Sequence, residues 1–162
     1  MRVMYVGTFD PPTNGHVWMI ERGVHLFKDL IVGIGVNPAK RSLFSPEERA
    51  DLLRRSTKHL PSFEIEAFSG QFSVAYARAK GASVLLRGLR NVNDFEGERV
   101  MCQVNHDMDP RITTLFLMPP REIVEVSSTM VKELVGPAGW EAIVRRYVPE
   151  SVFIALKEKH HV

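Results

Sequence analysis

An apolar run, Arg2 to Gly7, leads into Thr8-Phe9-Asp10-Pro11-Pro12-Thr13-Asn14-Gly15-His16, and a segment of helical period follows at once. A hydroxyl at Thr8 and an imidazole at His16 therefore flank a strand-to-helix turn. In an open sheet of parallel strands, ligands settle beyond the carboxyl ends of the strands, and a helix start presents unpaired amides to phosphate. Gly7 and Gly15 let the backbone turn tightly and a bulky nucleotide come close. These groups suit the binding and reaction of a triphosphate.

Other charged or hydroxylic groups fall at comparable places. Arg87 directly follows the apolar Val84-Leu85-Leu86, Lys40 and Arg41 follow the run Leu30 to Val36, and Ser127-Ser128-Thr129 reads as a helix start. Taken singly, most have a plainer explanation: a surface or capping histidine, a solvated loop pair, an ordinary N-cap. Arg87 resists one, because a guanidinium at the end of an apolar strand needs a partner, and a bound phosphate is a natural partner. Their joint occurrence at strand ends favours the phosphate site. The remaining histidines, at 25, 59, 106, 160 and 161, show no ligand spacing.

The elements that must position these groups follow from periodicity. Strands are predicted at Arg2 to Gly7, Leu30 to Val36, Phe63 to Glu66, Ser83 to Arg87 and Thr113 to Met118. Between them, Val17, Ile20, Val24 and Phe27 recur at helical spacing within Gly15 to Phe27. Ser45-Pro46-Glu47-Glu48 has the form of a capping box, opening a helix to about His59. Further helices are expected over Ser73 to Lys80, Val92 to Met108 and Ser127 to Val135, with two short ones after Gly139 and Pro149. Strands alternating with helices predict a Rossmann-like α/β fold: a five-stranded parallel sheet, helices on both faces, and a C-terminal helical segment.

Composition narrows the class. The chain has 162 residues, 44% of them apolar, which suits one domain spanning residues 1–162. No apolar stretch approaches a bilayer span and the start lacks a secretory core, so a cytoplasmic protein with no membrane partner is expected. A net charge of +2 suits an anionic small molecule and falls short of a nucleic-acid-coating surface. The single cysteine, Cys102, is expected to be a buried, inert thiol.

Thr8-Phe9-Asp10-Pro11 through Thr13-Asn14-Gly15-His16 resembles the T/H-x-G-H motif of the nucleotidyltransferase superfamily, in the form typical of phosphopantetheine adenylyltransferases. Val126-Ser127-Ser128-Thr129-Met130-Val131-Lys132 is similar to that family's second motif, Pro38-Ala39-Lys40 to its phosphate-binding lysine, and Arg87-Gly88-Leu89-Arg90 through Asp94-Phe95-Glu96 to a further block. The resemblance runs from residue 3 to about 135 and implies adenylyl transfer from ATP to 4′-phosphopantetheine.

It also implies roles. His16, Lys40 and Arg90 would be catalytic; Thr8, Lys40, Ser73 and Arg87 would bind the acceptor, with Phe72 beside Ser73. Thr8, Phe9, His16, Gly88, Leu89, Arg90, Glu98 and the stretch Ile123, Val124, Glu125, Val126, Ser127, Ser128, Thr129 would bind ATP. Asp94 is expected to be structural. Mg²⁺ would come on the ATP phosphates rather than in a protein cage, coenzyme A would be a feedback ligand, and the assembly would be a homo-hexamer.

Val6, Gly97 and Ile123 depart from the family's usual residues. Gly97, inside a predicted helix, implies close packing or altered nucleotide contacts. The alternatives are a related transferase using another acceptor, such as nicotinamide mononucleotide, and a non-catalytic nucleotide-binding sensor. A tRNA-binding role would need an anticodon-binding region that so short a chain lacks.

Overall fold

The computed structural model describes residues 1–39 and 41–160. Five strands, β1 (Arg2–Gly7), β2 (Asp29–Val36), β3 (Glu64–Ser69), β4 (Val84–Gly88) and β5 (Thr113–Leu117), form one sheet in the order β3-β2-β1-β4-β5. All neighbours pair in parallel, with Tyr5 of β1 set beside Val32 of β2 and Leu86 of β4. From β1 the chain first moves outward to β2 and β3, then returns to place β4 on the other side. The order thus reverses between β1 and β4, the place where open sheets leave a crevice at their carboxyl ends.

Helices cover both faces. α1 (Asn14–Phe27) and α2 (Pro46–Ser56) contribute Met19, Ile20, Ala50 and Leu53 to a core built on Val3, Tyr5, Val32 and Leu86. On the other face α3 (Ser73–Ala79) sets Val74, Tyr76 and Ala77 against Met4, Val6, Ile31 and Leu85. Alternate residues of one strand so serve two cores, which explains why β1 and β2 are apolar almost throughout. A third cluster joins α5 (Ser128–Leu134), α6 (Trp140–Val144) and α7 (Glu150–His160) through Val131, Trp140, Val144 and Phe153, and takes in Phe44 and Leu52. α4 (Val92–Met108) differs from all of these: none of its 17 residues is buried.

Several local expectations need correction. β3 starts one residue late and runs to Ser69, because it is an edge strand whose extent follows its pairing with β2 rather than an apolar run. The helix after Pro149 is not short: it has 11 residues, held by Val152, Phe153 and Leu156 in the third cluster. Cys102 lies on α4 and is half-buried rather than buried. At Gly97 a methyl group would meet nothing within 4 Å, so close packing does not account for that glycine. Ser45 caps α2 as expected, its hydroxyl accepting from the Glu48 amide while Glu48 accepts from the Ser45 amide.

Candidate active site

At the crevice between β1 and β4 lies a cavity of about 770 Å³, within the roughly 300–1,000 Å³ usual for small-molecule sites. Its first wall is the loop between β1 and α1. Phe9, at φ 52°, folds its ring back across Gly7, where a methyl group would stand 2.9 Å from the Phe9 Cζ atom. The ring is wholly buried and meets Tyr5 and His16 edge-on, with centroids 5.4 and 5.0 Å away. Phe9 is therefore a platform under His16 and does not itself reach the cavity.

His16 stands at the third position of α1, and the cap of that helix fixes its chemistry. The Thr13 amide donates to His16 Nδ1 at 3.0 Å, while the Thr13 hydroxyl accepts from the His16 amide. An Nδ1 that accepts is unprotonated, so the neutral ring carries its proton on Nε2. Burial, with a further contribution from the Arg90 charge, pushes the His16 pKa down to about 4. At neutral pH the wall thus presents an uncharged N–H donor.

The second wall, from β4 and α4, is ionic. Arg87 Nε donates to both Glu98 oxygens at 2.9 and 3.1 Å, its Nη2 also bonds Glu98, and its Nη1 donates to the Val6 carbonyl at 2.8 Å. Burial is the largest influence and works against the Arg87 charge, but hydrogen bonding to Glu98 together with the electrostatic pull of Glu98, Tyr5 and Asp94 outweighs it and raises the pKa. Arg90 pairs with Asp94 through Nε at 2.7 Å and Nη2 at 3.0 Å, and this partnership raises its pKa too. Asp94, expected to be structural, is held in that pair and also lines the cavity.

A third side comes from α5. Ser127 caps it by accepting from the Met130 amide, and the Ser128 hydroxyl donates to the Pro11 carbonyl at 2.8 Å, tying this helix to the first loop. Asp10, buried, accepts from the amides of Leu43 and Phe44 at 2.9 and 2.8 Å and faces Lys132 Nζ at 3.4 Å. One carboxylate so links the first loop, the segment before α2 and α5. The Asn14 amide donates to the Tyr147 carbonyl at 2.9 Å, bracing the start of α1 against the C-terminal segment.

Of the residues singled out from sequence, Thr8, His16, Ser73, Arg87, Gly88, Arg90, Glu98, Ile123, Val126, Ser127, Ser128 and Thr129 all line this cavity. Leu89, Val124 and Glu125 do not line it. The Leu89 amide is spent on the Leu117 carbonyl, and Glu125 bears on Arg90 by its charge. Phe72 points to solvent while its neighbour Ser73 faces the cavity. Lys40 lies outside the described residues.

Residues 4–134 match the model of the Cytidylyltransferase-like family. A phosphopantetheine adenylyltransferase of Chromobacterium violaceum is 53% identical over 152 residues, covering 94% of this chain and 93% of that protein. One from Neisseria meningitidis serogroup C is 50% identical over 159 residues, covering 98% and 94%. The chain belongs to the phosphopantetheine adenylyltransferase family. Among solved structures, the nicotinic acid mononucleotide adenylyltransferase of Plasmodium falciparum superposes with a TM-score of 0.70 at 12% identity, covering 99% of this chain and 95% of that one. At that identity the likeness concerns the fold, which is the nucleotidyltransferase α/β fold common to both.

Sequence reasoning passed over several cavity residues of this family member. Asn37 and Gln71 follow β2 and β3, so the rule placing ligands beyond strand ends would have found them. Asp10, which braces the first loop without lining the cavity, had a weaker signal, an acid between a phenylalanine and two prolines. Tyr5 had almost none, because a tyrosine inside an apolar strand reads as core.

Proposed function

We propose that this protein transfers the adenylyl group of ATP to the phosphate of 4′-phosphopantetheine, giving dephospho-coenzyme A and pyrophosphate. The observation that carries this reading is the convergence of His16, Arg87, Arg90 and the α5 hydroxyls on one cavity at the sheet's switch point. The acceptor already bears an oxyanion, so no side chain need become the nucleophile. An acceptor phosphate oxygen attacks the α-phosphorus in line, the new O–P bond forms, and the bond to the β-phosphate breaks with pyrophosphate taking the electron pair.

The protein's work is then positioning and charge. His16 offers its Nε2 proton as a neutral donor to an α-phosphate oxygen. Arg90 and Lys40 meet negative charge as it shifts toward the leaving group, with Lys40 between the two substrates' phosphates. Thr8, Arg87 and Ser73 hold the acceptor, and the start of α5 holds the nucleotide.

No group of three or more His, Cys, Asp or Glu among the described residues could cage a metal, and the cavity's Asp94 and Glu98 are occupied by arginines. That donor set fits Mg²⁺ arriving on the ATP phosphates, which is magnesium's usual habit. The same reading extends to one domain over residues 1–162, a cytoplasmic location, feedback by coenzyme A and a homo-hexamer. Among the described residues no helix is long and apolar enough to cross a membrane.

The test mixes the full chain with ATP, Mg²⁺ and each candidate acceptor and follows pyrophosphate. Release that depends on 4′-phosphopantetheine is expected. Preference for nicotinamide mononucleotide would overturn the acceptor, and tight ATP binding without pyrophosphate from any acceptor would make the protein a sensor.

A further inference from the structure

Tyr5 is the sole polar side chain among the buried residues of β1. It is 6% exposed, and it lines the cavity. The ring is fixed by the core: it packs in the cluster of Val32 and Leu86 and stands edge-on to Phe9. Phenylalanine would make all of these contacts, so the packing does not call for a hydroxyl.

The hydroxyl has no hydrogen bond to any described residue, yet no sealed side-chain oxygen is left without a partner. It must therefore open on the cavity that the ring helps to line. The ionic groups bearing on it are Arg87, Arg90 and Glu98, all on the facing wall. Burial raises the phenol's pKa against the pull of the two arginines, so it keeps its proton at neutral pH and can donate. A hydroxyl that opens on the cavity and has no partner among the described residues is free to bond a ligand there.

The ligand's chemistry follows from the neighbours. Two guanidiniums attract an anion, but much of their donor capacity is committed: Arg87 spends Nε, Nη2 and Nη1 on Glu98 and Val6, and Arg90 spends Nε and Nη2 on Asp94. A phosphate seated near them has three outer oxygens to satisfy. A neutral O–H adds a short, charge-assisted hydrogen bond without adding charge.

We propose that Tyr5 is a substrate-positioning residue whose hydroxyl donates to a phosphate oxygen drawn in by Arg87 and Arg90. The proposal rests on the adenylyl-transfer reading above, and both substrates of that reaction carry the required phosphate. Tyr5→Phe removes the one oxygen and keeps the ring. With the full chain, pyrophosphate release is measured against acceptor concentration at saturating ATP and against ATP at saturating acceptor, alongside thermal unfolding.

A fall of about tenfold in kcat/KM with an unchanged melting temperature is the expected result. A rise confined to the acceptor KM assigns the bond to the acceptor phosphate; a rise confined to the ATP KM assigns it to the nucleotide. Values within twofold of wild type for both substrates overturn the proposal, and so does a lower melting temperature with normal kinetics, since the hydroxyl would then serve the fold. A wild-type chain that releases no pyrophosphate defeats the transfer reading instead. Calorimetric binding of ATP and of 4′-phosphopantetheine then decides about Tyr5: weaker binding of either by the variant supports it, and equal binding of both rejects it.

Discussion

The two principal walls of the cavity are built on opposite physical plans. Between β1 and α1, the loop is packed from beneath by a wholly buried Phe9, and His16 is locked by the Thr13 cap into one neutral tautomer. Across the gap, an arginine of β4 and another just after it are balanced by Glu98 and Asp94 of α4, a helix that buries none of its residues. The first wall supplies a fixed, uncharged donor that needs no reorganisation when charge develops. The second supplies charge, oriented in advance by carboxylates of the helix that follows β4. A site that must bind two anions and then shift charge between them gains from both: charge for capture, a fixed dipole for the transition state.

The largest effect should come from deleting the fixed donor. His16→Ala is expected to lower kcat by roughly a hundredfold or more while circular dichroism and melting stay native-like, in line with loss of one oriented donor. A kcat near normal would break the contrast, leaving the ionic wall to do the catalysis.

Next in size is Glu98→Gln, which keeps the shape beside Arg87 but removes its counter-charge. The pair is partly exposed, with side chains 34% and 19% accessible, so a rise of about fivefold in acceptor KM is expected, near the upper end for such pairs. An unchanged KM would mean that the Val6 carbonyl alone holds the guanidinium in place.

Thr13→Ala sharpens the comparison further. Losing this cap should cost about 1 kcal/mol of stability by denaturant titration. Yet kcat should stay within a few-fold of wild type, because the Thr13 backbone amide, not its hydroxyl, pins Nδ1. A collapse of kcat would show that the hydroxyl contact at 3.0 Å is what orients the ring.

The smallest effect is an expected absence of change. With the His16 pKa at about 4, activity should show no titration of this residue near pH 6.5, its ordinary value. Histidine NMR of the free protein should find one ring titrating near pH 4, and a titration near 6.5 would return His16 to the charged class. The stability consequence has a definite sign. Below about pH 6.5 the unfolded chain takes up a proton that folded His16 refuses until about pH 4, so this residue's contribution is complete above that window and is lost across it.

Much of this architecture could be read in advance, for identifiable reasons. β1, β2 and β4 lie inside the sheet and are apolar on both faces, so their runs announce them. The edge strand β3 buries only Phe68, and its apolar pattern predicts too early an end, since that end is set by pairing of Val36 with Ser69. The helix of residues 92–108 was legible as a helix, but not the fact that it would leave Val92, Phe95, Val100 and Met101 exposed. Burial depends on what packs alongside, and periodicity does not carry that information.

By itself, the order of residues determined which reactive groups exist and that each falls at a strand end or helix start, because hydrophobic period and capping chemistry act over a few residues. It could not decide how those groups are charged or paired. Arg87 meets the Val6 carbonyl across 81 residues only because the chain returns to lay β4 beside β1. Glu98, expected to touch ATP, lines the cavity as the partner of Arg87, and His16, able to be a cation, is a neutral donor. Partner choice and protonation follow from distance and desolvation, and both quantities come into being only when the strands are assembled.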